Sequence, residues 1–415
     1  MTRPTAGDRL QRRLGLPDAV LVGLGSMLGA GVFVAFAPAA EAAGHLLLLA
    51  LAIAAVIAAA NALSSARLAA RYPESGGTYV YGRERLGPYW GYLAGSAFVA
   101  GKTASCSAMA LVVGEAVWPG HGGFVGALVV MVVAAIDYLG VQRSAAVTRL
   151  VVALVLVVLA ALVAALLISP PGRFVDPSLG EAVAPLGVLQ GAGFLFFAFA
   201  GYARIATLGE EVRDPERTIP RAVVVALSIV LLVYLAVAAA LLTALGPEWL
   251  SGRSAPLADA AAVTGWPWLA PVVRIAAVAA AGGALLGLLL GVSRTVLAMA
   301  RDGHLPRGLS AVHITHGVPH RATLAVALVV AVITVAGDVR GAIGFSSFCV
   351  LVYYAIANAS AWTLSASPTD RALPAIGLLG CLVVAAVLPL ASVVAGLAVL
   401  DTVELIDRLR EEEGV

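Results

Sequence analysis

The chain has 415 residues, of which 61% are hydrophobic and only 12% charged, and its mean hydropathy is +0.97. Soluble domains carry about 45–50% apolar and about 25% charged residues, so a soluble globular protein is excluded and an integral membrane protein is indicated. A formal net charge of +2 leaves no large basic surface, and no nucleic-acid partner is expected.

Apolar stretches of about 17–25 residues are long enough to cross a bilayer as helices. In chain order they fall at 17–40, 44–66, 88–114, 122–140, 146–169, 185–208, 221–245, 271–293, 321–337, 341–364, 372–389 and 391–407. The predicted fold is an all-α polytopic membrane protein of about 12 transmembrane helices. Span 9 is short, and span 12 carries Asp401, Glu404 and Asp407 in its second half. Spans 11 and 12 meet at Pro389, which predicts a tight hairpin. Cys106, Cys349 and Cys381 all lie in apolar runs and read as packing residues. The first apolar run is too long for the core of a secretory signal, so no cleavable signal peptide is expected.

Orientation follows from the arginines in short loops. Arg173, Arg253, Arg274 and Arg340 fall on one side of the membrane. Lys102 and Arg204 lie within spans, and every other basic residue falls on the side of the N-terminus. Both termini are therefore expected in the cytoplasm, with the chain in the plasma (inner) membrane.

Span 1 reads Gly23-Leu24-Gly25-Ser26-Met27-Leu28-Gly29-Ala30-Gly31-Val32-Phe33. A glycine in a helix interior costs about 1 kcal/mol relative to alanine, so this run is a poor place for an unbroken helix. Unwound backbone at that depth must line a cavity or be buried in protein. The competing reading is close helix packing through small residues. Span 6 repeats the feature with Gln190-Gly191-Ala192-Gly193, followed by Phe194-Leu195-Phe196-Phe197-Ala198-Phe199-Ala200-Gly201-Tyr202. Spans 1 and 6 open two five-helix halves, and glycine-interrupted helices at matching positions point to a transporter site. An odd number of helices per half inserts the two halves with opposite topology.

Four segments carry a family resemblance: GLGSMLGAGVF in span 1, RYPESGGTYVYGRERLGPYWGY before and into span 3, FFAFAGY with GEEVRDPERTIPRA around span 6, and SRTVLAMARDGHLP after span 8. In this order they resemble the amino acid–polyamine–organocation (APC) permeases, amino acid permease branch. The resemblance implies a LeuT-type 5+5 inverted repeat with broken helices 1 and 6. It divides the chain into a cytoplasmic segment 1–15, a first repeat 16–169, a second repeat 185–364, peripheral helices 11 and 12 over 372–407, and a tail 408–415. It further implies that an amino acid or related small amine binds between the two broken helices.

The residues expected at that site are Gly25, Ser26, Met27, Gly29, Ala30 and Gly31 of span 1, and Phe197, Ala198, Phe199, Ala200, Gly201 and Tyr202 of span 6. Amides of Gly29, Ala30 and Gly31 would open the outer half-helix and suit a substrate carboxylate. Carbonyls near Gly25 and Ser26, and those of Phe197 to Ala200, would accept from an ammonium. The rings of Phe197, Phe199 and Tyr202 are candidate gates.

Lys102 is the single lysine, 14 residues beyond Pro88, or roughly 21 Å along a helix. An ionisable group at mid-membrane is a functional candidate by default. It is either a proton carrier or a structural cation held by carbonyls, and Ser105 and Cys106 share its face. Some members of the resembling family place a lysine on span 5, whereas span 5 here has none. Mid span 8, Ala276 to Leu286, carries no hydroxyl, so sodium, which needs hard oxygen ligands, is disfavoured as coupling ion. Arg204 is a structural or gating candidate with Glu210 or Glu211 as partner. His304, His313, His316 and His320 cluster after span 8, but no convergent ligand set marks a metal site. No cofactor is expected. No catalytic constellation interrupts the spans, so an enzyme is not indicated. Transport of an amino acid or amine, proton-coupled or by exchange, is the leading reading; a membrane-embedded amino acid sensor is the alternative.

Overall fold

The computed structural model describes residues 14–413 except 73–75, 141–144, 169–184, 207–211, 314–315 and 365–366, with backbone alone over 403–413. Among these residues the fold is helical; the one strand-like contact is an isolated bridge between Leu14 and Val212. Nine helical segments are at least 18 residues long and apolar enough to cross a membrane. Three more, Gly122–Tyr138, His320–Ala336 and Leu390–Thr402, are apolar but shorter, and they cover predicted spans 4, 9 and 12.

Span 1 is divided into α1 (Leu16–Met27), α2 (Gly31–Val34) and α3 (Phe36–Ala43). Gly44, at φ +51, reverses the chain, and α4 (Leu47–Arg71) returns across the membrane as span 2. A short helix, α5 (Thr78–Leu86), lies between spans 2 and 3. Its place is fixed by docking contacts with residues remote in sequence. α6 (Pro88–Val117), α7 (Gly122–Tyr138) and α8 (Ala145–Ile168) complete spans 3 to 5.

Span 6 comprises α9 (Pro185–Phe199), a 3-10 turn over Ala200–Tyr202 and α10 (Ala203–Ala206). α11 (Pro215–Ala244) is span 7. Two short helices, α12 (Pro247–Leu250) and α13 (Pro256–Ala262), precede span 8, α14 (Leu269–Arg301). α15 (His320–Ala336), α16 (Val339–Trp362), α17 (Pro368–Val387) and α18 (Leu390–Glu413) follow. Only Leu388 and Pro389 separate the last two, the hairpin that the proline predicts.

α6 and α16 are the most enclosed of the long helices, and α17 is among the least. Helices that are apolar all round belong inside a bundle, and small residues let them approach. Two pairs of hydroxyls meet between spans: Ser105 Oγ lies 2.7 Å from Ser346 Oγ, and Thr334 Oγ1 donates to Ser107 Oγ at 3.1 Å. Thr323 donates to the buried Asp137 at 2.9 Å and joins α15 to α7. Interhelical bonds of this kind contribute about 0.6 kcal/mol each in a membrane.

α5 is pinned at both ends. The Thr78 amide donates to the Tyr353 hydroxyl at 3.1 Å, and Arg85 donates to Thr363 Oγ1 at 2.8 Å. In between, the Tyr79 hydroxyl donates to Asp302, which Arg83 also approaches at 3.4 Å. Burial first, and then the Asp302 carboxylate, push the Tyr79 phenol well above its ordinary value of 10.0. The folded state therefore holds this proton more tightly than the unfolded chain. The stabilisation is complete below about pH 10 and fades as pH rises beyond it. Thermal unfolding monitored from pH 7 to 11 should show the wild type losing stability above pH 10 more steeply than Tyr79→Phe.

Candidate functional site

The ladder of α1 ends where Leu28 N donates to Leu24 O at 2.7 Å, and the next local bond runs from Phe33 N to Ala30 O at 3.0 Å. Among the described residues the amides of Gly29 and Ala30 and the carbonyls of Gly25 and Ser26 make no backbone hydrogen bond. The break thus spans Leu28 to Ala30. Free carbonyls end α1 and free amides open α2, which gives partial negative and positive charge on the two sides of the break.

In span 6 the structure corrects the expectation. Gly191 and Gly193 lie inside the continuous helix α9, where they serve packing: a Cβ on Gly191 would lie 2.8 Å from Ala43 Cβ, and one on Gly193 2.7 Å from Leu388 Cδ2. The irregularity comes later, at the Ala200–Tyr202 turn. Phe194 to Phe199 thus belong to a regular helix, and only Ala200, Gly201 and Tyr202 of the predicted set lie in the distortion.

The two irregular segments touch backbone to backbone. A Cβ on Gly201 would sit 2.4 Å from Ser26 O and 2.7 Å from Met27 N; one on Gly31 would sit 2.5 Å from Ala198 Cα. All three distances are far below van der Waals contact, so no side chain fits at either position. Tyr234 of α11 holds the junction. Its hydroxyl donates to Met27 O at 2.6 Å and also lies 3.1 Å from Ala198 O, and its ring packs against Phe199 and Phe36. The sequence reading passed over Tyr234, a lone tyrosine in an apolar span whose partners are main-chain atoms. Span 8 closes the other side of the break, with Ala284 Cβ 2.9 Å from a Cβ on Gly29 and Ala280 O at 4.0 Å.

Gly25 faces span 5, 3.0 Å from Thr148 Cγ2 by the same construction, and the Ser26 hydroxyl donates back to Val22 O at 3.0 Å. Phe199 is locked against Tyr234, and Tyr202 turns toward Tyr354 with ring centroids 5.1 Å apart. Of the predicted aromatic gates, Phe197 remains the most accessible, at 8% exposure. A small cavity is lined by Phe33, Val34, Val112, Glu115 and Leu257 among others. Glu115 accepts from the Gly120 amide at 3.2 Å and so holds the loop between α6 and α7.

Lys102 is 5% exposed in the middle of α6. Neighbouring Gly101 packs on Cys349 and Val350 of α16, and Ser105 donates to Gly101 O at 3.1 Å. Cys106 is fully buried. Among the described residues no ion pair reaches Lys102. Arg204 is on α10, while its expected partners Glu210 and Glu211 lie outside the described residues. His313, His316 and His320 gather around Tyr138, and His304 packs on Tyr92. Among the described residues no group of three or more His, Cys, Asp or Glu is arranged to hold a metal ion.

The chain is a many-helix membrane protein whose helix α1 is interrupted beside the turn that ends α9. The amino acid permease family model matches residues 14–403, and the chain belongs to that family, within the APC superfamily. It is 61% identical over 395 residues to a protein of Mycobacterium tuberculosis described as an uncharacterized transporter, covering 95% of this chain and 90% of that one. It is 28% identical to the branched-chain amino acid permease BcaP of Bacillus subtilis, covering 77% and 74%. It is also 31% identical to the chloroplastic cationic amino acid transporter 9 of Arabidopsis thaliana, covering 75% and 59%.

Proposed function

We propose that the protein is a secondary active transporter that moves an amino acid or related small amine across the plasma membrane by alternating access. In this reading residues 16–169 and 185–364 form two inverted five-helix repeats of the LeuT type, the helices over 372–407 are peripheral, and both termini are cytoplasmic. The observation that carries it is the interruption at Leu28–Ala30, with unpaired amides and carbonyls seated against the turn at Ala200–Tyr202. A zwitterion suits this junction: the carboxylate goes to the amides of Gly29, Ala30 and Gly31, and the ammonium to the carbonyls of Gly25 and Ser26.

The names of the relatives point to two side-chain classes, branched-chain and cationic. No acidic residue lies in the apolar parts of spans 1, 3, 6, 8 or 10, which favours a neutral amino acid. Thermal shifts of the purified protein should be larger with leucine or valine than with arginine. Sodium coupling is disfavoured because span 8 meets the break with the methyl of Ala284 and offers no hydroxyl over Ala276 to Leu286. A sensor that binds without transport draws no support from the relatives.

Counterflow of labelled amino acid in liposomes tests transport itself; binding without counterflow would replace the proposal by the sensor. The uptake rate should follow a pH gradient and stay constant when sodium replaces choline. Lys102→Met should abolish the response to the gradient while leaving exchange of amino acid measurable. A full pH response in that variant would assign Lys102 a structural role.

A further inference from the structure

Where span 6 leaves its regular helix, four polar side chains meet in the protein interior. Asn61 of α4, Tyr202 of the 3-10 turn, and Tyr354 and Asn358 of α16 are each at most 1% exposed. Asn358 Nδ2 donates to Asn61 Oδ1 at 2.7 Å and to Tyr354 O at 2.8 Å. The Cys381 thiol of α17 donates to the same Asn61 oxygen at 3.3 Å. With these bonds made, Asn61 Nδ2, Asn358 Oδ1 and the hydroxyls of Tyr202 and Tyr354 have no partner at hydrogen-bond geometry, although the Tyr202 hydroxyl lies near enough to Asn61 and Tyr354 to interact with both. Turning both carboxamides over does not help, because one donor and one acceptor are again left over. α17 walls the cluster: a Cβ on Gly377 would fall 2.4 Å from Asn358 Oδ1.

Buried polar atoms are almost always bonded, and a concentration of four exceptions in one place calls for a ligand. The cluster itself contains no charged side chain, and hard cations prefer carboxylate oxygens. It offers amide donors, amide acceptors and two hydroxyls that act as either. The matching ligand is neutral, small, and both donor and acceptor. We infer that Asn61, Tyr202, Tyr354 and Asn358 form a site for bound water, which ties the turn of span 6 to spans 2 and 10. A buried water with two to four such partners is held as part of the structure. Through it the turn rests on its neighbours by bonds that a small rotation of span 6 can exchange. The inference does not depend on which solute the protein carries.

Hydroxyl-radical footprinting of the intact protein in nanodiscs reads the site directly, since radicals form from the bound water itself. Tyr202 and Tyr354 should be labelled several-fold faster than Tyr234, which is equally buried but bonded to a carbonyl. Labelling no faster than that of Tyr234 overturns the inference. The variants Tyr202→Phe and Tyr354→Phe give an independent sign. Removing a hydroxyl that bonds to water lowers the thermal midpoint, whereas removing an unbonded buried hydroxyl raises it. A raised or unchanged midpoint in both variants also overturns it. Repeating the melts in choline, sodium and potassium chloride tests for a monovalent cation; a cation-specific rise in the wild type that is absent in Tyr354→Phe would replace water by that cation.

Discussion

Alanine at Gly201 or Gly31 should abolish uptake. At either position a single methyl group collides with main-chain atoms of the other broken helix, at 2.4 Å from Ser26 O or 2.5 Å from Ala198 Cα. Main chain cannot rotate aside as a side chain can, so the two segments must separate and the junction is lost. The expected result is uptake reduced at least about tenfold, equivalent to about 1.4 kcal/mol or more in the transport barrier. Matched controls are Gly282→Ala and Gly287→Ala on α14, where a Cβ meets nothing within 4 Å. These should retain transport and gain up to about 1 kcal/mol of helix stability. Initial rates in proteoliposomes, normalised to reconstituted protein, check all four. Normal uptake in Gly201→Ala would show that the close approach is dispensable.

The second large effect is expected at Tyr234. Its hydroxyl serves a carbonyl at the end of α1 and approaches another in α9, and the residue is fully buried. Tyr234→Phe keeps the ring contacts with Phe36 and Phe199 but removes the donor. Leaving a buried acceptor unserved costs about 1–3 kcal/mol, so the thermal midpoint should fall and transport should slow by about tenfold. Tyr234→Leu, which also loses the aromatic contacts, should be worse on both readouts. If Tyr234→Phe matched the wild type in rate and midpoint, the hydroxyl would not hold the junction together.

The sequence makes the membrane class and the positions of the spans legible because a bilayer imposes a length on every crossing helix. It also makes the break in span 1 legible, since Gly29 falls inside the interrupted Leu28–Ala30 stretch and Gly31 directly after it. The same glycine rule misplaced the irregularity in span 6. Gly191 and Gly193 let Ala43 and Leu388 approach a regular helix, and glycine serves close packing as readily as it serves a break. Tyr234, Asn61 and Asn358 escaped notice for a common reason. Each sits in a largely apolar helix, and its partner is main chain or a side chain hundreds of positions away. Spacing along the chain carries no trace of such pairs. α5 was missed because contacts with Asp302, Tyr353 and Thr363, remote in sequence, fix its place.

The solute is expected to be held at the interruption at Leu28–Ala30. An experimental density map of the protein with bound leucine, or with whichever amino acid gives the largest thermal shift, tests it most directly. The account predicts that the ligand carboxylate lies within hydrogen-bond distance of the amides of Gly29 to Gly31 and its ammonium faces the carbonyls of Gly25 and Ser26. A first span that runs as one unbroken helix through Leu28 to Ala30, or a ligand bound elsewhere with those amides unoccupied, would contradict it.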